Sequence, residues 1–354
     1  MTNRTEFDPM WAGHYGEDGP AKVAIRQLRY TLLDPGVEPV DYGLTVITDL
    51  RYGGIGPRGL VAEIGCGDGA LLNLCQSEGL GDKWAGIEPN AKQFKGRPYM
   101  ELKQPDAEVR WVLDHGTPRE QRQLFRHVGK IAYEPVTLYK AGADLIPLPS
   151  RSAKVAISKF SGHLAFKNID GLLEAKRVLE PTGVQADITF GSENNDLVIE
   201  DEDKMAEVLS EVVKEEMLPP RPPESLFTSE DTIEAFSRVH RNVYVKWVRQ
   251  EMVFNNGPEI ILDSHRTYRD RYIPASGGLP EKFCDPAYRD RPVVRSDIFE
   301  EVLRAVVLAP IEQAIKDGER RTAKIRRTFT VASDIEIDVP RGTNDEDGYE
   351  QIAP

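Results

Sequence analysis

Residues 60–75, LVAEIGCGDGALLNLC, decide how this chain folds. Leu60, Val61, Ala62 and Ile64 form a short apolar run that breaks at Gly65, Gly67 and Gly69, then resumes at Ala70, Leu71, Leu72 and Leu74. A strand-length apolar run, a glycine turn and apolar residues at helical spacing predict strand, tight turn and helix. Alternate glycines allow left-handed backbone and place no Cβ between the chain and a ligand, so the turn is expected to hold one. The helix that follows aims its first N–H groups at whatever lies over the turn.

Outward from that stretch the alternation continues. KWAGIE (83–88), VTLYKA (136–141), KVAIS (154–158) and VQADITF (184–190) read as strands, and GLLEAKRVLEPTG (171–183) as a helix closed by a proline-glycine turn. Strands and helices in alternation predict a mostly parallel sheet covered on both faces. A helix is expected at DKMAEVLSEVVKEEML (203–218), stopped by the four prolines of LPPRPPES (218–225). Beyond it NVYVKWV (242–248) and SDIEIDV (333–339) alternate at the strand period. Between them SDIFEEVLRAVVL (296–308) reads as a helix capped by Asp297, with Glu300 three residues on and a kink or stop at Pro310. Upstream, GPAKVAIRQLRYTLL (19–33) is helical in pattern and ends before Asp34-Pro35-Gly36.

Gly65, Gly67 and Ala70, with Glu88 further on, satisfy a dinucleotide fingerprint. Two features oppose that reading: Gly69 makes the turn G-x-G-x-G, and Glu63 and Asp68 flank it with negative charge that would repel a pyrophosphate. A cationic ligand would be favoured by them. VAEIGCGDG is similar to the first motif of the class I S-adenosylmethionine-dependent methyltransferases, whose cofactor carries an ammonium and a sulfonium charge. Glu88, ending its strand, matches the family's acidic residue for the ribose hydroxyls. AGADLIPLPSRSAKVAIS resembles the segment in which an acidic residue, here Asp144, binds the adenine amino group, and GLLEAKRVLEPTGVQADITF resembles the following helix, turn and strand.

The resemblance covers residues 60–190. It implies a Rossmann-like methyltransferase fold: α/β, doubly wound, with a mostly parallel seven-stranded sheet and insertions. It also implies S-adenosyl-L-methionine as cofactor, contacted by Glu63, Gly65, Cys66, Gly67, Asp68, Gly69, Glu88, Asp144, Leu145 and Ser158. His163, in SKFSGHLAFKN (158–168), falls near the family's acceptor mouth and is the candidate base, its ordinary pKa suiting proton transfer near neutrality. Trp11, His14 and Tyr15 match the position of a lid. The expected organisation is a helical cap at 1–50 and a cofactor-binding core at 51–217 with an insertion near 91–135. A proline-rich linker follows at 218–225. A C-terminal part at 226–340 returns NVYVKWV and IEIDV to the sheet edge around an acceptor-side insertion near 255–323, and an acidic tail at 341–354 is expected to be disordered.

Bulk properties bound the function. The 354 residues are 40% hydrophobic and 29% charged, the profile of a globular protein. Neither a secretory h-region nor an apolar run of membrane-spanning length occurs, so a cytoplasmic protein without membrane contact is expected. Cys66, Cys75 and Cys284 contain no C-x-x-C pair, and no metal is expected. A net charge of −13 disfavours nucleic acid, leaving a small-molecule or glycan acceptor, methylated at oxygen or nitrogen, as the first reading. A nucleic-acid methyltransferase gripping through the arginines at 266–295 and 320–327, or a methyltransferase-like binding protein without turnover, stands as the alternative. The basic segment 316–327 reads as a solvated face, and the repeated YRDR (268–271, 288–291) as a coincidence or as an anion-holding pair.

Overall fold

The computed structural model describes residues 32–34, 37, 40–94, 96–97, 99–101, 136–161, 165–166, 169–190, 196–219, 229–267, 269–288, 292–340 and 348–352. Trp11, His14, Tyr15, His163, most of the expected 19–33 helix, most of the linker and residues 102–135 of the expected insertion lie outside them.

The glycine stretch folds as its pattern predicts: β1 (Leu60–Ile64), the turn, then α2 (Ala70–Ser77), preceded by α1 (Tyr42–Tyr52). Asp41 caps α1 by accepting from the N–H groups of Gly43 and Leu44 at 2.9 and 3.1 Å. The chain continues through β2 (Lys83–Ile87), β3 (Met100–Glu101), β4 (Val136–Lys140), β5 (Ala153–Lys159), α3 (Ile169–Val178), β6 (Leu179–Phe190) and α4 (Asp196–Val213). After β7 (Met217–Leu218) come α5 (Ser229–Val239), β8 (Asn242–Val253), α6 (Pro258–Thr267), β9 (Ile273–Pro274), α7 (Ser296–Leu303), α8 (Ala309–Asp317), β10 (Thr322–Ser333) and β11 (Glu350–Ile352).

The main sheet runs β11-β8-β10-β6-β5-β1-β2-β4-β3. The six strands from β6 to β3 are parallel, and β10, β8 and β11 add antiparallel pairs at the other edge. The doubly wound, mostly parallel α/β sheet is therefore present, with nine strands rather than seven because the short β3 and β11 extend its edges. One face packs Val155, Ile157, Ala186, Ile188, Phe329 and Val331 against the α1 and α2 side chains Val46, Ile47, Leu71 and Leu72. The opposite face packs Ala62, Ile64 and Ala156 against Leu172 and Ala175 of α3 and Phe236 of α5.

Four expectations need correction. The second returning strand is Thr322–Ser333, not IEIDV; it pairs with β8 along its length, and the lobe between them ends at Arg321. Lysine and arginine at its start hide the alternation that places Phe329 and Val331 in the core, whereas Ile337 and Val339 are buried as extended chain after it. The end of the acidic tail expected to be disordered is ordered instead: Glu350–Ile352 pairs with Val243–Val245, and the Tyr349 ring is buried under the Lys246 ammonium. The EPTG segment lies within β6 as a register irregularity between the Leu179 and Val184 pairs, not as a separate turn. Finally, Asp297 does not cap α7. It pairs with Arg295 and Glu300 pairs with Arg266, while a π-helical turn at Arg304–Leu308 carries the helix into α8 despite Pro310. That wider turn accommodates a ring that would clash with a regular α-helical carbonyl and that donates no N–H.

Candidate functional site

The strand order reverses at β1, whose partners β2 and β5 lead away in opposite directions, and open α/β sheets bind ligands at such a switch point beyond the carboxyl ends of the strands. The loops after β4, β2, β1 and β5 lie side by side there. They carry Asp144 and Leu145, Glu88, the glycine turn, and Phe160 with Ser161, respectively.

Gly65, Gly67 and Gly69 have φ of 69°, 54° and 78°, left-handed backbone at all three alternate positions. Gly65 is closely packed, since a Cβ there would meet the Ser161 Cβ at 2.4 Å, and Ser161 Oγ donates to the Ile64 carbonyl at 2.7 Å. At Gly67 the surroundings are open: no heavy atom lies within 4 Å of where a Cβ would stand. Glu88 reaches back to this point. Its Oε2 accepts the Gly67 N–H at 3.1 Å and its Oε1 the Asn90 N–H at 2.9 Å, which fixes the carboxylate against the turn.

Glu63 is buried beneath the turn, where the Leu72 backbone N–H donates to it, and its Oε2 has no hydrogen-bond partner among the described residues. Burial raises its carboxyl well above the usual range; Lys159 opposes that shift, and the Asp68 and Glu88 charges add to it. A nearby fixed cation would therefore stabilise the ionised form. Arg97, unsignalled in the sequence because it falls in a segment read as an insertion, donates from Nη1 to the Asp68 carbonyl at 3.1 Å. Asp68 also accepts the Ala70 N–H at 3.2 Å, steadying the start of α2.

Two expected contacts are not formed by side chains. Cys66 points into the core, where a Cβ on Gly86 would meet its Sγ at 2.6 Å, so only its backbone faces the turn. Ser158 turns to the face covered by α3 and α5 and donates to Asp187. Asp187 is 0% exposed, and burial lifts its carboxyl to about 7 against the opposing Ser158 hydrogen bond. An acid raised in this way binds its proton more tightly folded than unfolded, so its stabilising effect at low pH is lost between about pH 4 and 7. Asp187→Asn is expected to gain stability relative to wild type across that window, by up to about 4 kcal/mol. Paired urea titrations at acid and alkaline pH measure it, and an equal difference at both pH values would refute it. His240, held down to about 4 by burial, acts with the opposite sign but is common to both proteins.

Four arginines of the segments 266–295 and 320–327, among the described residues, are held by carboxylates of the chain. Arg320 pairs with Asp34, Arg321 with Asp201, Arg266 with Glu300 and Asp263, and Arg269 with Asp285. The two YRDR repeats meet: the Arg269 guanidinium lies 5.4 Å over the Tyr288 ring. Among the described residues no three His, Cys, Asp or Glu side chains gather in a metal-holding group, and no helix is long and apolar enough to cross a membrane.

No family model and no curated protein matches the chain. Solved structures similar to it include the YcgJ protein from Bacillus subtilis, at 11% identity over 84% of this chain and 100% of that one, with a TM-score of 0.42. A SAM-dependent methyltransferase from Aquifex aeolicus shares 17% identity over 64% of this chain and 90% of that one, with a TM-score of 0.36. Phosphoethanolamine N-methyltransferase 2 of Haemonchus contortus, solved with S-adenosyl-L-methionine, shares 15% over 88% of this chain and 56% of that one, with a TM-score of 0.38. All three are remote likenesses.

Proposed function

We propose that this protein is an S-adenosyl-L-methionine-dependent methyltransferase acting on oxygen or nitrogen of a small-molecule or glycan-like acceptor. The observation that carries the reading is the open backbone at Gly67 between two acidic side chains, Glu88 bonded to that turn and Glu63 beneath it with an unpartnered oxygen. A ligand with both cationic groups and a ribose fits that set. Glu88 would accept the ribose hydroxyls, the Glu63 and Asp68 carboxylates would favour the ammonium and sulfonium charges, and the Arg97 guanidinium would face the amino-acid carboxylate. The cofactor supplies an electrophilic methyl group on positively charged sulfur. What the chain adds is alignment: the rigid turn and the loops after β2 and β4 hold one partner, and the lobe between β8 and β10 rises at the same edge of the sheet to border the other.

A nucleic-acid acceptor gripped through the arginines at 266–295 and 320–327 is disfavoured because Arg266, Arg269, Arg320 and Arg321 are paired with carboxylates of the chain itself. The test is Glu88→Ala. Removing a charged hydrogen-bond acceptor is expected to weaken S-adenosylhomocysteine binding by about one to two decades, equivalent to ~1.5–3 kcal/mol, in calorimetric titration. An unchanged affinity contradicts the assignment.

A further inference from the structure

The face of the sheet covered by α3 and α5 gains buried hydroxyl and carboxyl groups toward the carboxyl ends of the parallel strands. Deeper in, Ala62, Ala85, Ala156 and Ala332 surround a single buried amide, Gln185, which meets the His240 ring at 2.9 Å. Nearer the edge stand Ser158 on β5, Asp187 and Thr189 on β6, and Thr330 on β10, each at most 1% exposed. They are direct neighbours: Ser158 is in register with Asp187, and Asp187 with Thr330. Ser158 satisfies one oxygen of Asp187, but Asp187 Oδ2, Thr189 Oγ1 and Thr330 Oγ1 have no hydrogen-bond partner among the described residues. Buried polar atoms are almost always paired, and three unmet ones on adjacent strands imply a polar occupant. The set offers hydroxyl donors beside one carboxylate acceptor, the complement of a hydroxyl group, which both accepts and donates. It also lies one strand from the switch point between β1 and β5.

We propose that Ser158, Asp187, Thr189 and Thr330 receive the reacting hydroxyl of the acceptor and that Asp187 takes its proton. This rests on the methyltransferase reading and narrows it to oxygen. A neutral hydroxyl is a poor nucleophile, so its transfer needs a base where an already basic nitrogen does not. The hydroxyl oxygen forms the bond to the methyl carbon, the carbon–sulfur bond breaks with its electron pair left on sulfur, and the hydroxyl proton passes to Asp187 Oδ2. The sulfonium donor becomes a neutral thioether, and the carboxylate becomes a carboxylic acid. Burial supports this role, because it raises the proton affinity of Asp187.

The test combines structure and turnover. Crystals of the protein with S-adenosylhomocysteine are soaked in ethylene glycol, and a panel of alcohols, phenols, sugars, amines and thiols is assayed with tritium-labelled methyl donor. Ethylene glycol within hydrogen-bond distance of Asp187 Oδ2, lost in Thr330→Val crystals, is expected. Turnover should be confined to hydroxyl compounds and fall about 10²–10⁴-fold in Asp187→Asn, with S-adenosylhomocysteine affinity unchanged. No glycol at Asp187, water there that glycol does not displace, turnover on amines or thiols only, no turnover with any hydroxyl compound, or full turnover by Asp187→Asn overturns the proposal. Failure of the wild type to bind S-adenosylhomocysteine would instead overturn the methyltransferase reading beneath it.

Discussion

Arg321→Ala is expected to lower the unfolding free energy by about 3–5 kcal/mol at alkaline pH, the penalty for leaving a buried carboxylate without its partner. Asp201 is 0% exposed, and Arg321 Nη2 meets its Oδ1 at 2.5 Å, linking α4 to the residue that enters β10. Burial already lifts the Asp201 carboxyl to about 6 with the guanidinium opposing that rise. Without the arginine the carboxyl rises further, so the variant's deficit should shrink as pH falls and Asp201 takes up a proton. Chemical denaturation of both proteins at two pH values reads this directly. A deficit below 1 kcal/mol, or one that grows on acidification, would mean the pair is well hydrated and not buried.

Gly65→Ala should be nearly as damaging, by about 2–5 kcal/mol, because left-handed backbone with a side chain costs ~1–2 and forced overpacking ~1–3. The added methyl would stand 2.4 Å from the Ser161 Cβ, in the turn that the Gly65 N–H ties to the Ile87 carbonyl at 2.7 Å. Gly67→Ala provides the contrast. It shares the left-handed backbone but meets nothing within 4 Å, so its stability loss should be about 1–2 kcal/mol. Its methyl occupies the space kept open for a ligand, and S-adenosylhomocysteine affinity should fall more than tenfold. Thermal or urea unfolding with calorimetry separates the two variants; equal stability losses at both positions would show that the turn is not packed as described.

Much of this architecture was legible in periodicity. Strands buried on both faces, such as β1, β2 and β5, read as short apolar runs, and three alternate glycines after the first of them marked the left-handed turn into α2. Local pattern fails where partners are distant. The strand Thr322–Ser333 begins with Lys324, Arg326 and Arg327, which look like a solvated basic segment until β6 and β8 are placed on either side. Tyr349 sits in an acidic, apolar-poor tail, and only docking against Asp49 and Lys246 reveals it as core. The carboxyl-end positions of Glu63 and Glu88 were legible, because position along a parallel strand fixes which edge of the sheet a residue occupies. Side-chain direction was less accessible. A period of two assigns Ser158 to a face, but which face looks toward the ligand depends on the helices that cover it, and so Ser158 points to Asp187 and Cys66 points into the core.

What the turn at residues 65–69 holds is decided by calorimetric titration of the wild-type protein with S-adenosylhomocysteine and, separately, with NAD. Micromolar binding of S-adenosylhomocysteine with none of NAD is the predicted result, since Glu63, Asp68 and Glu88 surround the turn with negative charge. Binding of NAD alone would contradict it, and would make Gly65, Gly67, Ala70 and Glu88 a dinucleotide site whose pyrophosphate is held by Arg97 and the first turn of α2.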